Sequence, residues 1–440
     1  MTTVIQLVTR KLLDTIIGYV WWLEVEIKSR LSPNKQKSEK CFLLIADRLP
    51  PDTPTSGTYR PTSFLQYASE NGWSATAIST PYDESSEAGT ELLSHLHSEV
   101  TIYRPERLIW PWNKVFPSVS DLGGFGWALS LARKAINAKV VSPPTIVLAS
   151  GPPFRNFIAG HYVARYFSAS LVLDYRDEWT QAPHVFVPPS RKLDLYWEKR
   201  LLAEAKAVIF TTKSQIANQL TAFPELEEEK CHLIPNGWNT VGFGTKTKQC
   251  NQDEKRIKIS FIGSLHHGPV SDFLTALSSV NRALPKKPFL RITGFISPRY
   301  AEIVEKHKEL GLVETSGYIP QSEARKEMQA SDILLILSHT PLERYLPGKL
   351  FEYIAAGTPI LIFGAPGEVS NLVEKLNVGL RVAEDDIEGL GSAILDLAER
   401  KRSGSLISPE VKTWLDAHRR DKIAANLFNL FEDIRTSKES

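Results

Sequence analysis

Only three of the 440 residues are cysteine (Cys41, Cys231 and Cys250), and no spacing among them suits a metal. That scarcity argues against a disulfide framework and for a reduced compartment. Charge of one sign is also missing: 52 Lys and Arg stand against 50 Asp and Glu, a net +2. So near a balance gives no electrostatic case for a nucleic-acid partner. No segment reaches the ~18 uncharged apolar residues that a membrane span needs. There is no Gly-Lys-Ser/Thr phosphate loop and no Asp-x-Asp pair anywhere. His95 and His97 lie two apart without further ligands in view, so no metal is expected. Gly123-Gly-Phe-Gly126 follows Phe116-Pro-Ser-Val-Ser-Asp121 and not a strand pattern. It reads as a helix entry and not as a dinucleotide loop.

What is present begins with a helical pattern over residues 1–30. Ile5, Val8, Leu12, Ile16 and Val20 fall on one stripe, with Leu13, Ile17 and Trp21 beside it. Arg10, Lys11 and Asp14 interrupt the apolar run, so the segment is amphipathic and not spanning, and no small-residue cleavage pattern marks a secretory signal. Such a helix either rests on a membrane surface or docks on the protein's own surface.

Beyond it, short apolar runs alternate with helical patterns. Strands are expected at Cys41–Asp47, Ala75–Thr80, Thr145–Ser150, Leu171–Asp174 and Ala207–Thr212, then at Ile257–Gly263, Leu290–Gly294, Ile333–Ser338, Pro359–Phe363 and Leu380–Ala383. Runs as continuously apolar as Ile333-Leu-Leu-Ile-Leu337 suit strands buried on both faces of a parallel sheet. Helices such as Pro61–Glu70, Phe154–Phe167, Ser271–Leu284 and Ser322–Ala330 alternate with them, which predicts doubly wound α/β sheets. The rhythm breaks at 238–255, a polar, glycine-containing linker. Two domains follow, at 40–237 and 256–405, with a helical segment at 406–440.

The most specific segment is Leu346-Pro-Gly-Lys-Leu-Phe-Glu-Tyr-Ile-Ala-Ala-Gly-Thr-Pro-Ile360. Pro347 suits a helix start and Gly357 its end. Lys349 and Glu352, three apart, share one face. A helix start offers free N–H groups and a positive dipole end, and Lys349 adds a full charge, so a diphosphate would be held there. One turn on, a carboxylate would accept the two hydroxyls of a ribose. The plain alternative is a surface Lys–Glu pair.

This segment resembles the donor signature of GT-B-fold glycosyltransferases of family four, written Pro-x-Lys-x-x-Glu and then Gly-x-Pro. The resemblance extends to Phe261-Ile-Gly-Ser264, Gly317-Tyr-Ile-Pro320 and Ala330-Ser-Asp-Ile-Leu-Leu335. In the first half it covers Pro50-Pro-Asp-Thr-Pro-Thr-Ser-Gly57 with Arg60, Asp174-Tyr-Arg-Asp-Glu-Trp179 and Ile234-Pro-Asn-Gly237. It spans roughly residues 41–400 in the family's order.

The resemblance implies two Rossmann-like, doubly wound domains facing across a cleft: an acceptor domain at 40–237 and a donor domain at 256–405. The segment 406–440 would return toward the first domain. It implies an enzyme that moves a sugar, with retention, from a nucleotide-diphosphate donor to a saccharide or lipid-linked acceptor in polysaccharide or glycoconjugate synthesis. On the donor side Gly263, Ser264, Lys349 and Arg344 would meet the phosphates, Ile319 the base and Glu352 the ribose. Gly57, Arg60, Ser150 and Gly151 would face the acceptor. Lys349, His161 and Asp177 are the candidate catalytic residues. Neither cofactor nor metal is implied, and the expected place is the cytoplasm, with peripheral membrane contact through residues 1–30 left open. Two departures stand out: Arg344 where many members have a second Glu, and Leu265-His-His-Gly268 where many have a basic residue. An epimerase or hydrolase on the same fold, or a silent nucleotide-sugar-binding homologue, are the competing readings.

Overall fold

A computed structural model of the protein describes residues 2–31, 40–52, 56–82, 85–105, 124–138, 143–183, 191–240, 256–404 and 406–437. Cys250 and most of the expected linker lie outside the described residues. Two compact units emerge, one of Met1–Pro235 with Ala424–Ser440, the other of Asn236–Ile423.

The first unit opens with α1 (Thr2–Arg30), followed by β1 (Cys41–Ile45), α2 (Ser56–Glu70), β2 (Ser74–Ile78), α3 (Glu87–Ser94), β3 (Thr101–Tyr103) and α4 (Gly124–Asn137). It continues with β4 (Ile146–Gly151), α5 (Arg155–Phe167), β5 (Ser170–Tyr175), α6 (Arg191–Glu204), β6 (Ala207–Phe210), α7 (Lys213–Ala222) and β7 (Cys231–Leu233). Every strand pair is parallel, in the order β3-β2-β1-β4-β5-β6-β7. The central strands β1, β4, β5 and β6 are buried along their whole length, as continuous apolar runs require between two helix layers.

The second unit runs β8 (Arg256–Ile262), α8 (Val270–Ala283), β9 (Lys287–Thr293), α9 (Pro298–Glu309), β10 (Val313–Ser316), α10 (Gln321–Ala330) and β11 (Ile333–Ser338). Then come α11 (Gly348–Ala356), β12 (Ile360–Gly364), α12 (Glu368–Lys375), β13 (Gly379–Val382), α13 (Ile387–Ser403), α14 (Pro409–Ala417) and α15 (Arg420–Thr436). Its sheet, again parallel, has the order β10-β9-β8-β11-β12-β13. In both sheets the winding reverses once, between β1 and β4 and between β8 and β11, which is the doubly wound Rossmann-like pattern of the GT-B fold.

The C-terminal stretch is divided between the two units, because the unit boundary at Ile423 falls inside α15. The part before it packs in the second unit, where Trp414 stacks on Phe351 of α11 at 5.4 Å and on His418 at 4.1 Å. The part after it closes the first unit's core, with Phe428 and Phe431 against Phe42 at 5.3 and 5.8 Å.

Helix α1 lies along α4 and α5. Val25 is buried and Ile17, Trp21 and Trp22 are half-buried against the core. Glu24 anchors the helix. Burial works against its charge, yet bonds from Lys28, Arg133 and Asn137 hold it down at about 2. The stripe Val8, Leu12, Ile16 and Val20 is the outward face, 53–63% exposed. Ile5's side chain is outside the described set. Among the described residues, no helix is long and apolar enough to cross a membrane.

Candidate functional site

An open parallel sheet presents ligands with the crevice beyond its strand ends at the point where the winding reverses. In the second unit that point lies between β8 and β11. Gly263 directly follows β8 with φ +121°, a conformation that side chains resist. Gly294, after β9, has φ +123°, and a Cβ there would come within 2.4 Å of the Gly263 carbonyl oxygen. These loops therefore meet as bare backbone. Ser264 beside them is exposed.

Helix α11 starts behind Pro347 (φ −66°) and stops at Gly357, which takes a left-handed φ of +66°. Its apolar face, Leu350, Phe351, Tyr353 and Ile354, is buried against the sheet. The amide of Ile262 donates to the Tyr353 hydroxyl at 2.9 Å, which ties the helix to the end of β8. Lys349 is thereby aimed at the same strand end. Its Nζ sits 3.6 Å from the centre of the Phe261 ring, and a Cβ on Gly263 would lie 3.9 Å from it. No carboxylate among the described residues pairs with this ammonium, and loss of hydration pushes it down to about 7.

Glu352, one turn further along, is largely buried. Its Oε1 accepts from Gln321 Nε2 at 2.8 Å and faces Arg325 Nη2 at 3.7 Å and Arg420 Nη2 at 3.9 Å. Ile319 is half-buried in the turn before α10. Arg344 lies between β11 and α11, 3.8 Å from Glu343, its own neighbour.

Residues 261–264, 317–321 and 346–352 thus border one end of one sheet, with a cation that has no carboxylate partner among the described residues and a held carboxylate one helical turn apart. Phe261, Gln321, Arg325 and Arg420 are the participants that sequence reading misses. Gln321 and Arg325 share a face four apart on α10, a spacing with no signal until the fold places α10 against α11. Arg420 is remote in sequence and carries no signal at all.

In the first unit the residues expected to face an acceptor are tied into the fold. Arg60, read as facing an acceptor, is buried: it donates to Asp174 Oδ1 at 2.9 Å, to Ile234 O at 2.9 Å and to Pro235 O at 2.6 Å. Ser150 donates to the other Asp174 oxygen at 2.8 Å, while its carbonyl accepts from Asn156 at 2.8 Å. Arg60 and Ser150 therefore hold β4, β5 and α2 together through Asp174, and their polar groups face inward. Gly151 ends β4 where a Cβ would meet the Phe154 ring at 2.9 Å, so packing accounts for the glycine. Gly57, at the second position of α2, is half-buried.

His161 is held within the helix layer. It lies two turns into α5 and is 1% exposed, paired with Glu204 and packed 5.9 Å from the Trp197 ring of α6. Asp177 is half-buried two residues past the end of β5, and with Asp174 it opposes the burial that lowers Arg176.

Among the described residues, no cluster of three metal-ligating side chains occurs. Residues 256–400 match the family model of the group 1 glycosyl transferases. No curated protein matches the chain in sequence. Solved structures share its fold over most of its length. HepE of Anabaena in complex with UDP and glucose has a TM-score of 0.64 at 14% identity, covering 90% of this chain and 100% of that one. Sucrose-phosphate synthase of Thermosynechococcus elongatus gives 0.64 at 16%, over 90% and 100%. WaaG, a glycosyltransferase involved in lipopolysaccharide biosynthesis, gives 0.61 at 15%, over 89% and 99%. A group 1 glycosyl transferase domain at 256–400, set in a chain of GT-B fold, makes this protein a glycosyltransferase.

Proposed function

We propose that the protein is a retaining, family-four enzyme that takes a sugar from a nucleoside diphosphate and passes it to a saccharide or lipid-linked saccharide in polysaccharide or glycoconjugate synthesis. One observation carries the reading: at the start of α11 the Lys349 ammonium has no carboxylate partner among the described residues, and it lies beside the bare backbone of Gly263 and one turn from Glu352. A desolvated cation at the positive end of a helix favours an anion, and a diphosphate supplies one with charge that grows as the glycosidic bond breaks.

In this reading Gly263 and Ser264 approach the phosphates, Ile319 borders the base and Glu352 takes the ribose. Arg344 adds phosphate charge, and Asp177 is a catalytic carboxylate. The UDP held by HepE supports a uridine donor. The reaction needs no metal, since Lys349 and helix-start amides carry the leaving charge and the sequence offers no Asp-x-Asp pair. The enzyme works in the cytoplasm, and the outward stripe of α1 gives it peripheral contact with a membrane that holds the acceptor.

The test is calorimetric binding of UDP, GDP and ADP, then turnover of the matching sugar nucleotides in excess chelator, with and without a mixed acceptor pool. Acceptor-dependent turnover in chelator supports the reading. Turnover that ignores acceptor identifies an epimerase or hydrolase, and activity restored only by a divalent ion removes the metal-free mechanism.

A further inference from the structure

Glu352 has three rotatable bonds, yet a carboxylate that is to grip two ribose hydroxyls must stand still. Its surroundings supply the restraint, and the shortest approach of each neighbour is to Oε1. Gln321 gives Oε1 a directional hydrogen bond of 2.8 Å. Two guanidiniums stand behind it at 3.7 and 3.9 Å, too far for hydrogen bonds but close enough for charge to act. Their side chains are well buried, Arg325 at 5% and Arg420 at 12% exposure, so water screens that charge little. One hydrogen bond and two charges, from α10 and the start of α15, thus converge on Oε1.

We infer that Gln321 and Arg420 are positioning residues for nucleotide recognition: they pin Oε1 of Glu352 so that Oε2 is presented to the ribose hydroxyls. The inference rests on the donor-binding reading above. Gln321 sets the angle of the carboxylate and Arg420 holds its depth, while Arg325, the most buried of the three, doubles as packing for α10. Ribose selectivity is therefore a property of a four-residue group and not of Glu352 alone. The head of α15, outside the matched family region 256–400, takes part in it.

The test uses the full chain, with Gln321→Met, Arg420→Met and Arg420→Lys. Each is titrated calorimetrically with UDP, GDP and ADP, and then with the 2′-deoxy form of the tightest binder. Wild type should prefer the ribonucleotide. Gln321→Met and Arg420→Met should each weaken ribonucleotide binding about tenfold and deoxyribonucleotide binding, which keeps only the 3′-hydroxyl contact, by a clearly smaller factor, and Arg420→Lys should recover most of the loss. Equal weakening of both nucleotides in variants with wild-type melting temperatures would mean general electrostatics and overturns the inference, as would unchanged binding. Wild-type protein that binds none of the three nucleotides overturns the donor-site reading, and this inference with it.

Discussion

Lys349 holds its ammonium 3.6 Å from the centre of the Phe261 ring, a contact that favours the cation but replaces little of the water it loses. Burial accordingly pushes this lysine down to about 7 from an ordinary 10.5. Above pH 7 the free protein should carry it neutral, and a bound diphosphate should draw the proton back. Nucleotide affinity should then fall as pH rises beyond 7, and binding at pH 8 should take up at most about one proton per site. Calorimetry in Tris and in HEPES, whose ionisation enthalpies differ, reads that uptake. Lys349→Met should abolish it, and equal heats in the two buffers for wild type would contradict the linkage.

Glu198 sets a second pH dependence, this one in stability. It is 0% exposed, and burial pushes it from 4.5 up to about 7 although Thr180, Gln219 and Tyr175 bond to it. A raised carboxyl means the folded state holds the proton more tightly. Its contribution is complete below pH 4.5 and is lost as pH climbs through 7, by up to about 3 kcal/mol. The urea midpoint of wild type should fall between pH 5 and 7.5 relative to that of Glu198→Gln, the variant lacking that part of the fall.

Arg60 offers a sharp separation of structural and acceptor roles. Arg60→Met strands Asp174, which is 0% exposed, with Ser150 as its remaining donor of the pair described. Breaking a buried pair from one side costs about 3–5 kcal/mol. The first unit should melt early, while nucleotide affinity in the second is retained. A stable variant with a raised acceptor KM would restore Arg60 to the acceptor side.

Much of this was readable from residue patterns because buried parallel strands announce themselves as apolar runs. β1, β4, β5, β8, β11 and β12 all lie where such runs occur. The strands that sequence reading misses are β3, β7 and β10, and each is a sheet edge. An edge strand is wet along one side, so Val313-Glu-Thr-Ser316 needs no apolar run. Lys349 and Glu352 were legible from spacing alone, since three residues on a helix always share a face. Direction was not: nothing in Arg60 or His161 says whether a polar group points at a ligand or at a partner on another element. The stripe of α1 shows the same limit, because two apolar faces exist and only docking decides that Ile17, Trp21 and Val25 go inward.

His161 should behave as a structural residue. Its imidazole packs 5.0 Å from Tyr162 and pairs with Glu204, which despite partial burial is held at about 2 by that contact and by Arg200. His161→Ala should lower stability by about 1–3 kcal/mol through lost packing and pairing. Turnover per folded molecule should stay within about twofold, and a larger fall in kcat would return the residue to the chemistry.

Lys349 and Glu352 should fail in different ways although one helix turn separates them. Lys349→Ala removes a charge that meets the leaving diphosphate, whose negative charge increases as the sugar departs. That loss belongs to the transition state, so kcat should drop by about 100-fold to 1,000-fold, the scale of removing one oxyanion donor. Glu352→Ala removes ribose contacts that are the same before and during bond breaking, so donor KM should rise while kcat holds. Neither change should unfold the protein: Lys349→Ala removes an ammonium that burial disfavours, and its loss should raise the melting temperature of the ligand-free chain. Glu352→Ala leaves Gln321, Arg325 and Arg420 facing a vacancy and should cost more. Steady-state kinetics with the preferred sugar nucleotide, alongside thermal melts, separate the two. Wild-type donor kinetics in both folded variants would put the donor site away from α11.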